Sequence, residues 1–153
     1  MLLTIVVCRN PAAHAQPAAD SVRSVIARMF DAMKRSDSSA LRSCFVDTPL
    51  LQTVGRDVQG TTVIRNETLD GFLVQVAQQR PGALDERVLF ETVRVDGLLA
   101  MAWTPYRFYY KGGFSHCGVN SFQLVHTAGA WRIQYLIDTR RRQDCEPEPP
   151  PGN

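Results

Sequence analysis

The sequence predicts an α+β fold, with helices in the first half and an antiparallel meander in the second. Two patterns carry that reading. Apolar residues recur at the 3.6-residue period over positions 22–33, 41–45 and 69–76. From Arg87 onward the period shortens to two, in β-branched and aromatic runs separated by Gly-bearing turns. Helices that precede the strands, rather than alternate with them, segregate to one face of a sheet. The 153 residues, 44% hydrophobic and 21% charged, suit one domain with one core. They exclude a collagenous, coiled-coil or low-complexity chain.

At the N-terminus, residues 2–8 form a short apolar run, followed by Pro11 and Ala13-His14-Ala15. Signal peptidase accepts small residues at −3 and −1, so residues 1–15 are expected to be a signal peptide cleaved after Ala15. The run is far shorter than the ~20 apolar residues that span a bilayer. No Lys or Arg precedes it, a departure from the usual signal. Export implies a secreted or periplasmic protein in an oxidising space, where disulfides persist. Cys44, Cys117 and Cys145 then remain, enough for one internal pair. Cys44 sits on an apolar helix face, which favours Cys117 with Cys145 while leaving the other pairings open.

Asp20 or Ser21 caps the first helix. Its apolar stripe is Val22, Val25, Ile26, Met29, Phe30 and Met33, with Arg23, Arg28, Lys34 and Arg35 outside. Asp37 caps a second helix over residues 38–45, and Pro49 ends it. A short strand over 50–54, a turn between Gly55 and Gly60, and a weak strand over 62–65 follow. Thr68 caps a third helix with Leu69, Phe72, Leu73 and Val76 on one face, stopped at Pro81-Gly82. The β half reads as strands over 87–95, 98–110, 114–125 and 131–140. Turns at Asp96-Gly97, Gly112-Gly113 and Ala128-Gly129 join them. Residues 146–153 are proline-rich and expected to form an extended, disordered tail.

Turn register decides which side chains share a face. A two-residue turn at Ala128-Gly129 pairs Thr127 with Ala130, Leu124 with Ile133, Phe122 with Tyr135 and Asn120 with Ile137. A two-residue turn at Gly112-Gly113 pairs Tyr109 with His116, Trp103 with Phe122 and Met101 with Leu124. Asp138 then lies on the face opposite His116. Pro105 cannot donate to a ladder and marks a bulge or an edge position.

Three stretches are distinctive. They are Trp103-Thr104-Pro105-Tyr106-Arg107-Phe108-Tyr109-Tyr110, Phe114-Ser115-His116-Cys117-Gly118-Val119-Asn120-Ser121-Phe122-Gln123-Leu124-Val125, and Trp131-Arg132-Ile133-Gln134-Tyr135-Leu136-Ile137-Asp138-Thr139-Arg140-Arg141. They resemble the nuclear transport factor 2-like superfamily, and most its lumazine-binding or SnoaL-like bacterial branch. The resemblance covers residues 20–145 of a domain expected over 16–145. It implies a cone-shaped, curved antiparallel sheet with the three N-terminal helices packed on its concave face, enclosing a pocket. Many such proteins are homodimers. Some are isomerases, dehydratases, cyclases or epoxide hydrolases, and others bind ligands or dock proteins, so the fold leaves function open.

The expected pocket wall is Trp103, Tyr109, His116, Asn120, Phe122 and Tyr135, covered by Phe30, Met33 and Phe72. The expected partner is a small, partly apolar molecule, because such pockets bury apolar surface and orient it with few polar groups. His116 is the candidate general acid or base of an alternative lyase, isomerase or hydrolase. Asp138 joins it as a dyad, as in dehydratase-like members, only if a bulge brings the two onto one face. The plainer reading of His116 is a core histidine bonded to Tyr109 or to backbone. A third reading is a homodimeric interaction module without ligand. No phosphate-binding Gly-rich loop, GxSxG or Cys/His metal spacing occurs, so neither a cofactor nor a metal is expected. A formal charge of +2 and one short basic run, Arg140-Arg141-Arg142, predict no nucleic-acid face.

Overall fold

The computed structural model describes residues 12–148. The apolar run of the expected signal peptide and the last five residues of the proline-rich tail lie outside them. Helix α1 (Ala12–Lys34) buries the whole predicted stripe, from Val22 to Met33. The expected cleavage point after Ala15 falls in its first turns, ahead of Val22, where the buried stripe begins. Asp37 caps α2 (Ser38–Arg42), its carboxylate accepting from the Ala40 amide at 2.9 Å. Thr68 caps α3 (Leu69–Ala77), its hydroxyl accepting from the Gly71 amide at 3.1 Å. No helix among the described residues is long and apolar enough to cross a membrane.

α2 is shorter than its apolar pattern predicts. The chain turns after Arg42 and enters β1 (Phe45–Arg56). Pro49 lies where the β1 register slips, between Phe45 and Leu50, a position that needs no ladder donor. β2 (Thr62–Glu67) follows, then, after α3, β3 (Leu84–Val88), β4 (Thr92–Asp96), β5 (Leu99–Tyr110), β6 (Gly113–Thr127) and β7 (Ala130–Thr139). They form one sheet in the order β2-β1-β7-β6-β5-β3, with β4 also on β5. Every pair is antiparallel except β1 with β7. The helices lie on one face of this curved sheet, α1 against β3, β4 and β7.

The expected single strand over 87–95 is two strands, and Pro105 is the cause. Its carbonyl accepts from the Leu89 amide at 2.9 Å, so its own nitrogen also faces that edge with no proton to give. The ladder breaks there and resumes with Glu91 donating to the Trp103 carbonyl. β5 itself carries no bulge at Pro105.

The bulges lie elsewhere, and they correct the predicted faces. The β5–β6 turn is Lys111-Gly112, both with positive φ (51° and 83°), so Tyr110 pairs with Gly113. Ser115 is then one extra residue in β6, and His116 pairs with Phe108 rather than Tyr109. In β7 the predicted Ala128-Gly129 turn and the Leu124–Ile133 pair are present, but Gln134 is extra. Phe122 therefore pairs with Leu136, not Tyr135, and Asn120 with Asp138, not Ile137. Trp103 pairs with Ser121 and Met101 with Gln123.

The helix-covered face is thus Ala100, Ala102, Thr104, Tyr106 and Phe108 of β5, the even-numbered residues 116–124 of β6, and Ile133, Leu136 and Asp138 of β7. Ala100 and Ala102 are buried in the core with Phe122, whose ring meets Phe30 edge-on at 6.1 Å. Small side chains sit inward there because α1 supplies the bulk.

Candidate functional site

A polar cluster interrupts this apolar face where β3, β5, β6 and the end of β7 meet. Asp138 is buried on β7. Its carboxylate accepts from the Thr53 hydroxyl of β1 and, at 2.7 Å, from Arg140 Nε. The Tyr106 hydroxyl lies 3.2 Å from Asp138 Oδ2 and 2.9 Å from the Thr139 carbonyl oxygen, so its one proton serves both. Burial, and then Glu86 and Asp138, push the Tyr106 hydroxyl well above its usual range and keep it a neutral donor.

Glu86 reaches the same face because Leu84, Glu86 and Val88 alternate along β3, and Glu86 pairs with Phe108. Asn120 Nδ2 donates to Glu86 Oε1 at 2.8 Å. Burial pushes the Glu86 carboxyl up to about 7 from 4.5. The Asn120 hydrogen bond and Arg140 oppose that rise, and Asp138 adds to it. Thr104 pairs with Asn120 across the ladder and is 0% exposed, yet its hydroxyl has no partner among the described residues.

His116 stands beside this cluster, its ring 5.0 Å from Phe108 and 5.7 Å from Tyr106. Its Nδ1 is 3.0 Å from the Ser115 hydroxyl. Burial and then Arg140 lower its pKa, with Asp138 pulling the other way. The bulges place Asp138 on the same face as His116, contrary to the sequence register. No His116–Asp138 hydrogen bond forms; Tyr106 stands against both. The expected Tyr109 partner is also absent, because Tyr109 faces outward.

Of the six predicted wall residues, His116, Asn120 and Phe122 lie on the helix-covered face. Trp103 (41% exposed), Tyr109 and Tyr135 lie on the other. Tyr109 stacks on Arg87, and the Tyr135 hydroxyl donates to Gln52 Oε1. Phe30 and Met33 are core residues, and Phe72 packs against the core. Sequence reasoning missed Glu86, Thr104 and Tyr106. Cys117 is disulfide-bonded to Cys145, and Cys44 is a buried free thiol. No cluster of three His, Cys, Asp or Glu side chains among the described residues could hold a metal ion.

Gly118 lets the end of β7 approach this site. A Cβ there would lie 1.8 Å from the Thr139 carbonyl oxygen and 2.9 Å from Tyr106 Cε1.

Glu86 gives the site a pH signature. A folded-state pKa above the unfolded value means that the folded chain holds a proton the unfolded chain releases, so stability falls as pH rises from 4.5 to 7. The full shift corresponds to about 3 kcal/mol. His116 acts oppositely, losing stability as pH falls below 6.5. Glu86→Gln isolates the first effect. In urea titrations it is expected to match the native chain near pH 4 and to exceed it by up to about 3 kcal/mol at pH 8.

Three helices on one face of a curved sheet make the nuclear transport factor 2-like fold. Solved structures bear this out. A protein of unknown function with this fold from Shewanella baltica is 15% identical, with a TM-score of 0.65 over 84% of this chain and 97% of that one. Another, from Silicibacter pomeroyi, is 19% identical, with a TM-score of 0.63 over 82% and 98%. A cystatin-like domain of unknown function from Nostoc punctiforme is 19% identical, with a TM-score of 0.62 over 83% and 80%. At these identities the likeness is one of fold. No protein-family model and no curated protein matches the chain.

Proposed function

We propose that the protein binds a small, partly apolar molecule on its helix-covered face, with the ligand's hydroxyl or carbonyl reaching Thr104, Asn120 and Glu86. The buried Thr104 hydroxyl carries this reading. A buried polar atom without a partner costs about 1–3 kcal/mol, and a ligand oxygen or a bridging water removes that cost. Thr104→Val tests it. Removing the orphan hydroxyl is expected to stabilise the chain by about 1 kcal/mol and to weaken ligand binding about tenfold. Thermal shifts with a panel of small aromatic alcohols and ketones read both effects. A stabilised variant that responds to the panel as the native chain does would count against the proposal.

General acid–base chemistry at the same place is a second reading, supported by Glu86, whose carboxyl titrates near neutrality beside Asn120. In that reading Glu86 is the first candidate for a lyase, isomerase or hydrolase, with His116 and Asp138 on the same face. We also infer export to a secreted or periplasmic space, which the Cys117–Cys145 disulfide supports. Native mass spectrometry separates ligand carriage from a bare homodimer joined through the outer face.

A further inference from the structure

Residues 140–148, beyond β7, do not leave the sheet. Cys117 and Arg141 exchange backbone hydrogen bonds, both 2.8 Å, and Arg141 Nε donates to the Asp144 carbonyl at 3.0 Å. Asp144 has φ of 53°, and Cys145 then bonds to Cys117 on the outer face. The chain continues across β5 and β3. Arg107 Nε donates to the Glu146 carbonyl at 2.9 Å. Pro147 closes over a shallow hollow floored by Leu89 and Pro105. The Glu148 carboxylate pairs with Arg87 and accepts from the Tyr109 hydroxyl at 3.1 Å.

These non-covalent contacts are weak. Arg87 and Glu148 are 46% and 47% exposed, and ion pairs in water contribute little. The disulfide, one residue before Glu146, makes docking of 146–148 an intramolecular event at high effective concentration. We propose that the Cys117–Cys145 disulfide is a redox latch: oxidised, it holds residues 144–148 over the outer hollow, and reduction by an external dithiol releases them and opens it. Cys117 is 1% exposed, so the attacking thiolate reaches the Cys145 sulfur and Cys117 leaves as thiolate. The mixed disulfide then resolves. The dithiol becomes a cyclic disulfide, and two electrons and two protons pass to Cys117 and Cys145.

The test is 15N relaxation of the full chain, oxidised, reduced with dithiothreitol, and as Cys145→Ser. Order parameters at position 145, at Glu146 and at Glu148 are expected to fall from about 0.85 to below about 0.6 on reduction and in the variant. The Leu89 methyl shifts should move, while Asn120, Phe122 and Leu124 amide shifts stay in place. Arg87→Ala in the oxidised chain should leave the segment docked. An unchanged order parameter after reduction overturns the latch. Release in oxidised Arg87→Ala does so too, because the ion pair would then be the holder. Collapse of the Asn120–Leu124 shifts in both unlatched forms would make the disulfide a staple of the fold instead.

Discussion

Gly118→Ala is expected to lose about 4 kcal/mol and to accumulate little folded protein. The added methyl would sit 1.8 Å from the Thr139 carbonyl oxygen. That atom is backbone, so no side-chain rotation relieves the clash. Moving Thr139 away breaks the Tyr106 hydrogen bond to it and loosens Arg141 from Cys117. Circular dichroism and denaturant midpoints read the effect. A variant within about 1 kcal/mol of the native chain would mean that β7 has room to retreat.

Asp138→Ala is expected to cost about 3 kcal/mol in urea unfolding. Its carboxylate is the common acceptor for Thr53, Tyr106 and Arg140. Tyr106 retains the Thr139 carbonyl, but Thr53 is left without its acceptor. Arg140 is half exposed and finds water. The loss therefore comes from one orphaned hydroxyl, at Thr53, and a small void more than from a stranded charge. Asp138→Asn keeps one acceptor oxygen and should recover about half the loss. Equal costs for both variants would shift the weight onto the charge.

The apolar stripes of the helices and the caps of α2 and α3 were legible because those signals are local; Asp20 and Ser21, expected to cap the first helix, lie inside α1, which already begins at Ala12. Asp37 and Thr68 each fold back onto an amide three residues on, and the α1 stripe repeats over three turns. The order of strands was legible for the same reason. The faces were not. Ser115 and Gln134 each add one residue to a strand, and nothing in their side chains marks them as extra. Each swaps the side on which its flanking residues lie, which carried Asp138 to the wrong face and gave His116 the wrong neighbour.

Thr104 was hidden by size. Trp103 and Met101 look like interior residues beside Ala102 and Thr104. The interior takes the small ones because α1 already fills it. Glu86 did leave a signal: started at Leu84, the run Leu84-Asp85-Glu86-Arg87-Val88 puts a carboxylate between two apolar residues on one face. Starting that strand at Arg87 concealed it.

The break that Pro105 imposes also protects the chain from its own kind. An unbroken strand from Leu84 to Asp96 would offer a long row of free amides and carbonyls, a template for another molecule's edge. Two five-residue pieces, offset at Leu89, Phe90 and Glu91, make a poor template. At the opposite border Arg65 and Glu67 charge the short β2 strand. One imino acid, buried in the neighbouring strand, thus guards solubility at a border it does not itself occupy.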